Sequence, residues 1–180
     1  MNQPTEYRPE FSRPVAVVKI AGTPSTYRIT ANEAERARLA RRFGLLALDR
    51  LEAEVRLRRA AGDIRLEAEL SADLVQACVV TTDPVPATIA EGFTLCYRPG
   101  IDEDEADRLA LENPEDEIIE PLIGESVDIG EAIAQQLAVA MEPYPRSLDA
   151  GVVVETGDTG DAAVAQQNPF DALATIRKPS

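Results

Sequence analysis

The clearest pattern in the chain is an alternation of apolar and polar positions over residues 51–57 and again over residues 64–70. Successive side chains of a β-strand point to opposite faces, so each segment predicts a half-buried strand. Ala61 and Gly62 lie between them and predict the turn of a hairpin. The predicted register sets Leu57 opposite Leu66, Val55 opposite Ala68 and Ala53 opposite Leu70 on the buried side.

Four further segments have the composition of strands, at residues 11–20, 27–29, 74–81 and 88–97. Together with the hairpin they give about six strands and few helices. This pattern predicts an α+β fold whose antiparallel sheet could curl into a barrel. A short additional strand is expected at residues 118–119.

Two main helices are expected beside this sheet. Thr30 and Glu33 have the spacing of a capping box, which predicts a helix over residues 31–43. Asp128 is a good N-cap for a second helix that runs to about Met141. The apolar positions of that second helix recur at helical spacing, so one face is expected to pack against the core.

The domain organisation follows from shifts in composition. We expect a single α+β domain over residues 1–149, with an acidic insert at about 101–117 that forms an exposed excursion or a short helix. Residues 150–180 are expected to form a flexible linker and a short terminal helix. The apolar side chains of that helix would dock on the domain or bind a partner, and they are Phe170, Leu173 and Ile176.

The amino-acid composition limits the catalytic and metal-binding chemistry that this chain could support. The 180 residues include no histidine and only two cysteines, Cys78 and Cys96. This composition excludes histidine-based acid–base catalysis and histidine-ligated metal sites, and both cysteines are expected to be small buried residues. A hydrolase with paired carboxylates is the weakest hypothesis, because no such pair lies in an apolar context. We therefore expect a non-enzymatic protein without cofactor, metal or small-molecule substrate.

Charge is distributed unevenly. Residues 1–60 carry a net charge of +5, residues 61–100 of −4 and residues 101–180 of −15, within a total of −14. Such asymmetry indicates either contact with charged macromolecules or acidic loops that keep the protein in solution. No segment has the length of a membrane span, so a cytoplasmic location is expected.

Two sets of arginines are candidates for RNA or anion contact. One set shares a helix face and the other a strand face: Arg38, Arg41 and Arg42, and Arg56, Arg58 and Arg65. The predicted register pairs Arg56 with Glu67 but sets Arg58 against Arg65, which is costly unless an anion lies nearby. That anion could be an RNA phosphate or a carboxylate from the acidic half, or the register could be wrong.

Three segments together resemble the YceD family of large ribosomal RNA subunit accumulation proteins. They are Leu74–Val85, Val127–Leu137 with the following Met141–Pro145, and Asn168–Leu173. They are similar to the family's strand with a Cys-x-x-Cys-Leu-x-Pro motif, its Asp-Leu-x-Glu helix with terminal prolines and its Asn-Pro-Phe ending. Thr81 occupies the place of the second cysteine, so a role of that motif in metal binding or redox sensing is not expected here.

The resemblance implies a role in 23S rRNA accumulation and large-subunit biogenesis, without catalysis. The implied partners are ribosomal proteins or assembly factors and 23S rRNA itself. An alternative from the residues is an adaptor unrelated to ribosomes, which delivers a client through its C-terminal helix.

Overall fold

The computed structural model describes residues 9–112 and 118–147. Within them it forms three α-helices and seven strands in two sheets. In chain order the elements are β1 (Pro14–Ala16), β2 (Ser25–Thr30), α1 (Glu33–Phe43), β3 (Ala47–Ala60), β4 (Asp63–Ala77), β5 (Pro84–Arg98), α2 (Glu103–Glu112), β6 (Ile118–Pro121), β7 (Ser126–Asp128) and α3 (Ile129–Ala140). None of these helices combines the length and hydrophobicity needed to cross a bilayer.

The predicted hairpin is confirmed in its register. Strands β3 and β4 pair antiparallel around Ala61 and Gly62, with Leu57 opposite Leu66 and Val55 opposite Ala68. The strands are longer than predicted, because β4 continues to Ala77. The strand expected at residues 74–81 is therefore wrong as a separate element, and its first half belongs to β4.

The expected six-stranded antiparallel sheet is corrected in two respects. The main sheet has five strands in the order β2-β3-β4-β5-β6, and β6 pairs parallel with β5. Its edge strands β2 and β6 do not pair with each other, so the sheet remains open and no barrel closes in the described part of the chain. The first expected strand is reduced to β1, which pairs with β7 in a separate two-stranded sheet.

Helix α1 begins two residues later than expected. Its N-cap is Asn32, whose side chain accepts a hydrogen bond from the Glu35 backbone while the Glu35 carboxylate accepts one from Asn32 N–H. The expected capping box of Thr30 and Glu33 is wrong, because Thr30 is the last residue of β2 and pairs there with Glu52. The helix ends at Gly44, whose φ of 66° suits glycine.

Helix α3 begins as predicted, with Asp128 as its N-cap. The Asp128 carboxylate also accepts hydrogen bonds from the Arg13 backbone N–H and the Ser12 hydroxyl. The segment before β1 is thus fixed to the start of α3, and Phe11 is fully buried. Close packing there requires Gly130, since a Cβ at this position would lie 2.4 Å from the Phe11 carbonyl oxygen.

One hydrophobic core joins the helices to one face of the main sheet. It combines Leu39 of α1 and the Ile133 and Leu137 side chains of α3 with alternate residues of β3 and β4. A third helix, α2, lies within the acidic insert and contacts β6. The predictions for the C-terminal tail, including Phe170, Leu173 and Ile176, lie outside the described residues.

Candidate functional site

The main sheet presents its other face to solvent. Helices α1 and α3 pack on the side of Leu57 and Leu66, so the alternating residues of β2 to β5 point away from them. Ionised side chains dominate this exposed face. Its arginines are Arg28, Arg50, Arg56, Arg58, Arg65 and Arg98, and its acidic residues are Glu52, Glu54, Asp63, Glu67, Glu69 and Asp73.

The predicted arginine pair is present near the hairpin turn. Arg58 and Arg65 lie directly opposite each other on the exposed face. The Glu67 carboxylate serves both, at 3.0 Å from Arg65 Nε and 3.9 Å from an Arg58 nitrogen. A carboxylate of β4 itself therefore offsets the repulsion between the two arginines, and contact with an RNA phosphate stays a prediction.

Arg56 belongs to the same arginine group but bonds along its own strand. Its guanidinium lies 3.1 Å from the Glu54 carboxylate. Arg98 of β5 lies 2.9 Å from Asp63 at the end of the sheet. The hairpin end of the exposed face therefore carries four half-exposed arginines, with carboxylates between them.

The arginines of α1 lie on the other side of the sheet. Arg42 makes a bidentate ion pair with Glu131 of α3, at 2.8 and 2.9 Å, and a second pair with Glu10 at 3.0 Å. Arg38 donates to the Glu10 backbone carbonyl, and Arg41 is exposed. The six candidate arginines thus form two groups on opposite sides of the sheet, and Arg42 has a structural role between helices.

A partly buried ion pair was not anticipated from the sequence. Glu35 is the only buried charged residue in the described part of the chain, and it accepts two hydrogen bonds from Arg13, at 2.8 and 3.0 Å. The Arg13 guanidinium beside Glu35 lowers the pKa of that carboxyl. This pair ties the segment before β1 to α1, so we assign it to stability and not to chemistry.

The centre of the exposed face forms an open trough of about 670 Å³. Its floor consists of small residues on β4 and β5, namely Ser71, Ala90 and Gly92. Four acidic residues line it, Glu52, Glu54, Glu69 and Glu91, and the register places the first three on the exposed face. The sequence analysis missed this trough, although the register that it derived already implied that Glu54 lies opposite Glu69.

Charge within the trough is unevenly compensated. The Glu54 carboxylate lies 3.0 Å from Arg28 and 3.1 Å from Arg56, and these arginines lower its pKa. Glu69, directly opposite on β4, is exposed and has no cationic partner among the described residues. Its neighbour on the other side is Gly92 of β5, which supplies no side chain. One carboxylate therefore borders a gap in the side-chain layer.

Cys78 is buried at 1% exposure, as expected, whereas Cys96 is half-buried. The Cys78 sulfur accepts hydrogen bonds from the backbone N–H groups of Ser147, at 3.4 Å, and Thr81, at 3.5 Å. These donors favour the thiolate and lower the pKa of Cys78. No group of three or more metal-ligating side chains occurs in the ranges 9–112 and 118–147.

Helix α2 of the acidic insert lies near a carboxylate of β6 whose charged form is disfavoured. Glu120 of β6 is partly buried, and burial raises its pKa, with further contributions from Asp107 and Glu103 of α2. A raised carboxyl pKa is a feature of many acid–base sites, but the causes here are burial and the like charges of two α2 carboxylates. The cluster instead marks repulsion between α2 and β6.

These features define an α+β protein with an exposed, charged sheet face and without a cluster of catalytic groups in its described residues. Residues 66–177 match the family model of the large ribosomal RNA subunit accumulation protein YceD. The match covers more than half of the chain, and the chain belongs to the YceD family, as the three sequence segments predicted. Searches of curated proteins and of solved structures returned no match.

Proposed function

We propose that this chain is a non-enzymatic, cytoplasmic factor that supports accumulation of 23S rRNA and biogenesis of the large ribosomal subunit. The observation that carries the proposal is the match of residues 66–177 to a family named for accumulation of the large ribosomal RNA. The proposed mode of action is contact with rRNA, with ribosomal proteins or assembly factors, or with both.

The exposed face of the sheet supports a binding role. It carries ionised side chains on four adjacent strands, and its hairpin end presents Arg56 at 51% side-chain exposure and Arg58 and Arg65 at 35% and 32%. Guanidinium groups bind phosphate through paired hydrogen bonds, so this end suits the RNA backbone. Contacts between arginine and phosphate contribute affinity but do not distinguish one RNA base sequence from another. Among its described residues, this exposed face presents no aromatic side chain on which a base could stack.

The ionic network sets the strength of such an RNA contact. Glu54 and Glu67 already neutralise part of the arginine charge, and the chain as a whole has a net charge of −14. RNA contact through these arginines would therefore be weak and strongly dependent on salt. This weakness favours a role as one contact among several within an assembling particle.

Depletion of the protein tests the function directly. We expect mature 23S rRNA and the ratio of large to small subunits to fall, with 16S rRNA changing less. Full-length protein supplied from a plasmid serves as the control and restores both. Unchanged 23S rRNA and an unchanged subunit ratio after depletion would remove the ribosomal proposal.

The arginine contact has its own test. We expect the double variant Arg56→Gln and Arg58→Gln to reduce rRNA crosslinks to the hairpin end, because two phosphate-binding groups are lost. A matched control is Arg28→Gln with Arg108→Gln, which removes the same charge elsewhere. Equal crosslinking in both variants would exclude this arginine group as the RNA contact.

The adaptor hypothesis is separated by deletion of residues 150–180. Loss of every captured partner on this deletion, together with normal 23S rRNA in depleted cells, would favour an adaptor that acts through Phe170, Leu173 and Ile176. Retention of ribosomal partners by the shortened chain would favour the contacts of the domain.

A further inference from the structure

We propose that the open edge of β5 binds the same edge of a second copy of this chain, so that two main sheets join in a symmetric dimer. Strand β5 spans Pro84–Arg98, whereas β6 pairs only with its end, Leu95–Arg98. On that side, residues 84–94 have no strand partner in the part of the chain that the structure describes. Unpaired backbone at a sheet edge is a template that another strand can extend.

The direction of the backbone groups on this edge follows from hydrogen bonds near its two ends. The Arg98 carbonyl accepts a hydrogen bond from Leu122 N–H, on the side of β6. The Val75 carbonyl of β4, which is paired with Pro86, accepts from Leu46 N–H on the side of β3, so Pro86 directs its carbonyl away from β4. Successive residues of a strand alternate between its two sides, and the even-numbered residues of β5 therefore direct their backbone groups outward.

The outward positions of residues 84–94 are of two kinds. The first two are Pro84 and Pro86, where a proline costs no hydrogen bond to β4 because the position faces outward. The remaining outward residues each offer an N–H group that no described residue accepts, and they are Thr88, Ala90, Gly92 and Thr94. The open edge thus combines acceptors at one end with donors along the rest.

The two ends of the open edge complement each other. Pro84 presents a carbonyl without an N–H. Thr94 presents the reverse, since the parallel pairing of Leu95 with Ile118 directs the Ile118 N–H to the Thr94 carbonyl. An antiparallel second copy centred on Ile89, the midpoint of the open edge, places Pro84 opposite Thr94 and satisfies both. A strand without these matched ends gains no such fit, so the edge favours its own copy.

The side chains on the helix-facing side of β5 support the same register. Val85, Ile89 and Phe93 are half-buried at this edge, and the last two pack against the core. In the register centred on Ile89, the two Ile89 side chains face each other, and Val85 faces Phe93 of the second copy. Directly opposed apolar and aromatic side chains stabilise paired strands. Glu91, which is exposed, then lies opposite the small side chain of Ala87.

The joined edges gain backbone hydrogen bonds but also bring like charges together. All the outward N–H groups of both copies find acceptors, which gives about eight hydrogen bonds between the copies. Each chain carries a net charge of −14, which opposes association. We therefore expect a weak dimer that strengthens as salt is added, whereas an RNA contact weakens.

Sedimentation velocity of the full chain over a range of protein concentrations, at about 0.1 M and about 0.5 M salt, measures the dimer. Ala90→Pro removes an outward N–H while keeping the pairing with β4, as Pro84 and Pro86 already do. The dimer loses two hydrogen bonds, so its association should weaken by about tenfold or more. Ala90→Ser keeps the N–H and is the matched control, expected within about threefold of the unaltered chain.

A disulfide test keeps the proposal falsifiable if Ala90→Pro unfolds. Ile89→Cys, in a chain that also carries Cys96→Ser, places two thiols opposite each other with about 4.5 Å between the Cα atoms, which suits a disulfide. Ala87→Cys lies on the same side of the strand, but its two copies would be about 14 Å apart and cannot be bridged. The remaining native thiol, Cys78, is buried at 1% exposure.

We expect a concentration-dependent dimer, its loss in Ala90→Pro and disulfide-linked dimers from Ile89→Cys but not from Ala87→Cys. A chain that stays monomeric at every concentration and salt would overturn the proposal. Equal association of the proline and serine variants would do the same, as would equal disulfide formation by the two cysteine variants. A dimer that weakens with salt would point to ion pairs and also contradict pairing of the β5 edges.

These measurements use purified protein and do not depend on the ribosomal role. If depletion leaves 23S rRNA unchanged, the proposed function fails while the dimer is still decided by sedimentation and disulfide formation. If the protein is monomeric and depletion lowers 23S rRNA, the dimer proposal fails and the ribosomal role stands.

Discussion

The carboxylate of Asp128, the last residue of β7, holds the start of α3 and the segment before β1. Substitution of Asp128 should therefore lower the free energy of unfolding by a large amount, and two different substitutions should separate the contributions. Its Oδ1 atom accepts hydrogen bonds from the backbone N–H groups of Arg13, Gly130 and Glu131, at 2.7, 3.0 and 3.2 Å. Its Oδ2 atom accepts the Ser12 hydroxyl. Two of these bonds cap α3, and two hold the segment before β1 against that helix.

The expected loss of unfolding free energy follows from these hydrogen bonds. Loss of the cap costs about 1 kcal/mol, and an unsatisfied, part-buried Arg13 N–H that formerly bonded a charged group costs about 2 kcal/mol. Asp128→Ala should therefore lower the free energy of unfolding by about 3 kcal/mol. Asp128→Asn keeps an acceptor at the Oδ1 position and loses mainly the charge at the helix N-terminus, so it should cost about 1 kcal/mol or less.

Urea denaturation followed by far-ultraviolet circular dichroism measures both values. Glu125→Ala, an exposed acidic residue just before β7, is the matched control and should stay within about 0.5 kcal/mol of the unaltered chain. An equal loss for Asp128→Asn and Asp128→Ala would refute the assignment of stability to the Oδ1 hydrogen bonds. If Asp128→Ala lowered the free energy of unfolding no more than Glu125→Ala does, the proposed stabilising link between the segment before β1 and α3 would be refuted.

Two further predictions concern packing and pH. Glu120→Gln should raise the melting temperature at neutral pH, because burial, Asp107 and Glu103 raise the pKa of Glu120 above its unfolded value and make its charged form unfavourable. The gain should fade as pH falls and Glu120 itself becomes protonated, and a gain that persists in acid would contradict this cause. Gly130→Ala should cost about 2 kcal/mol in urea denaturation, since its Cβ would meet the backbone of Phe11. A neutral effect would mean that this segment is not fixed to α3.

Some errors of the sequence analysis have a clear local cause. The sequence analysis ended one strand at residue 70 and began the next at residue 74, but Ser71 and Asp73 alternate with the fully buried Ala72 and occupy the exposed face of β4. Thr30 and Asn32 both precede a glutamate at capping-box spacing. Pairing of Thr30 with Glu52 in the sheet left Asn32 as the cap, and this choice depends on a distant strand.

The candidate site was only partly predictable for a similar reason. The register of the hairpin follows from its alternation and its turn, so the juxtaposition of Arg58 and Arg65 was correct. The position of the Glu67 carboxylate between them depends on side-chain packing, which the sequence left open. The separation of the two arginine groups depends on which face of the sheet α1 covers, and no local pattern records that.

The sequence by itself determined the β3–β4 hairpin, the start of α3 at Asp128, the lack of histidine chemistry and the family resemblance. These features depend on residues that are close in the chain or on composition. The tertiary structure alone decided that the sheet stays open, that β6 joins β5 in parallel and that Glu69 faces the gap over Gly92. The physical reason is that pairing between distant strands depends on the whole set of competing contacts, whereas periodicity reports only which side of each strand is buried.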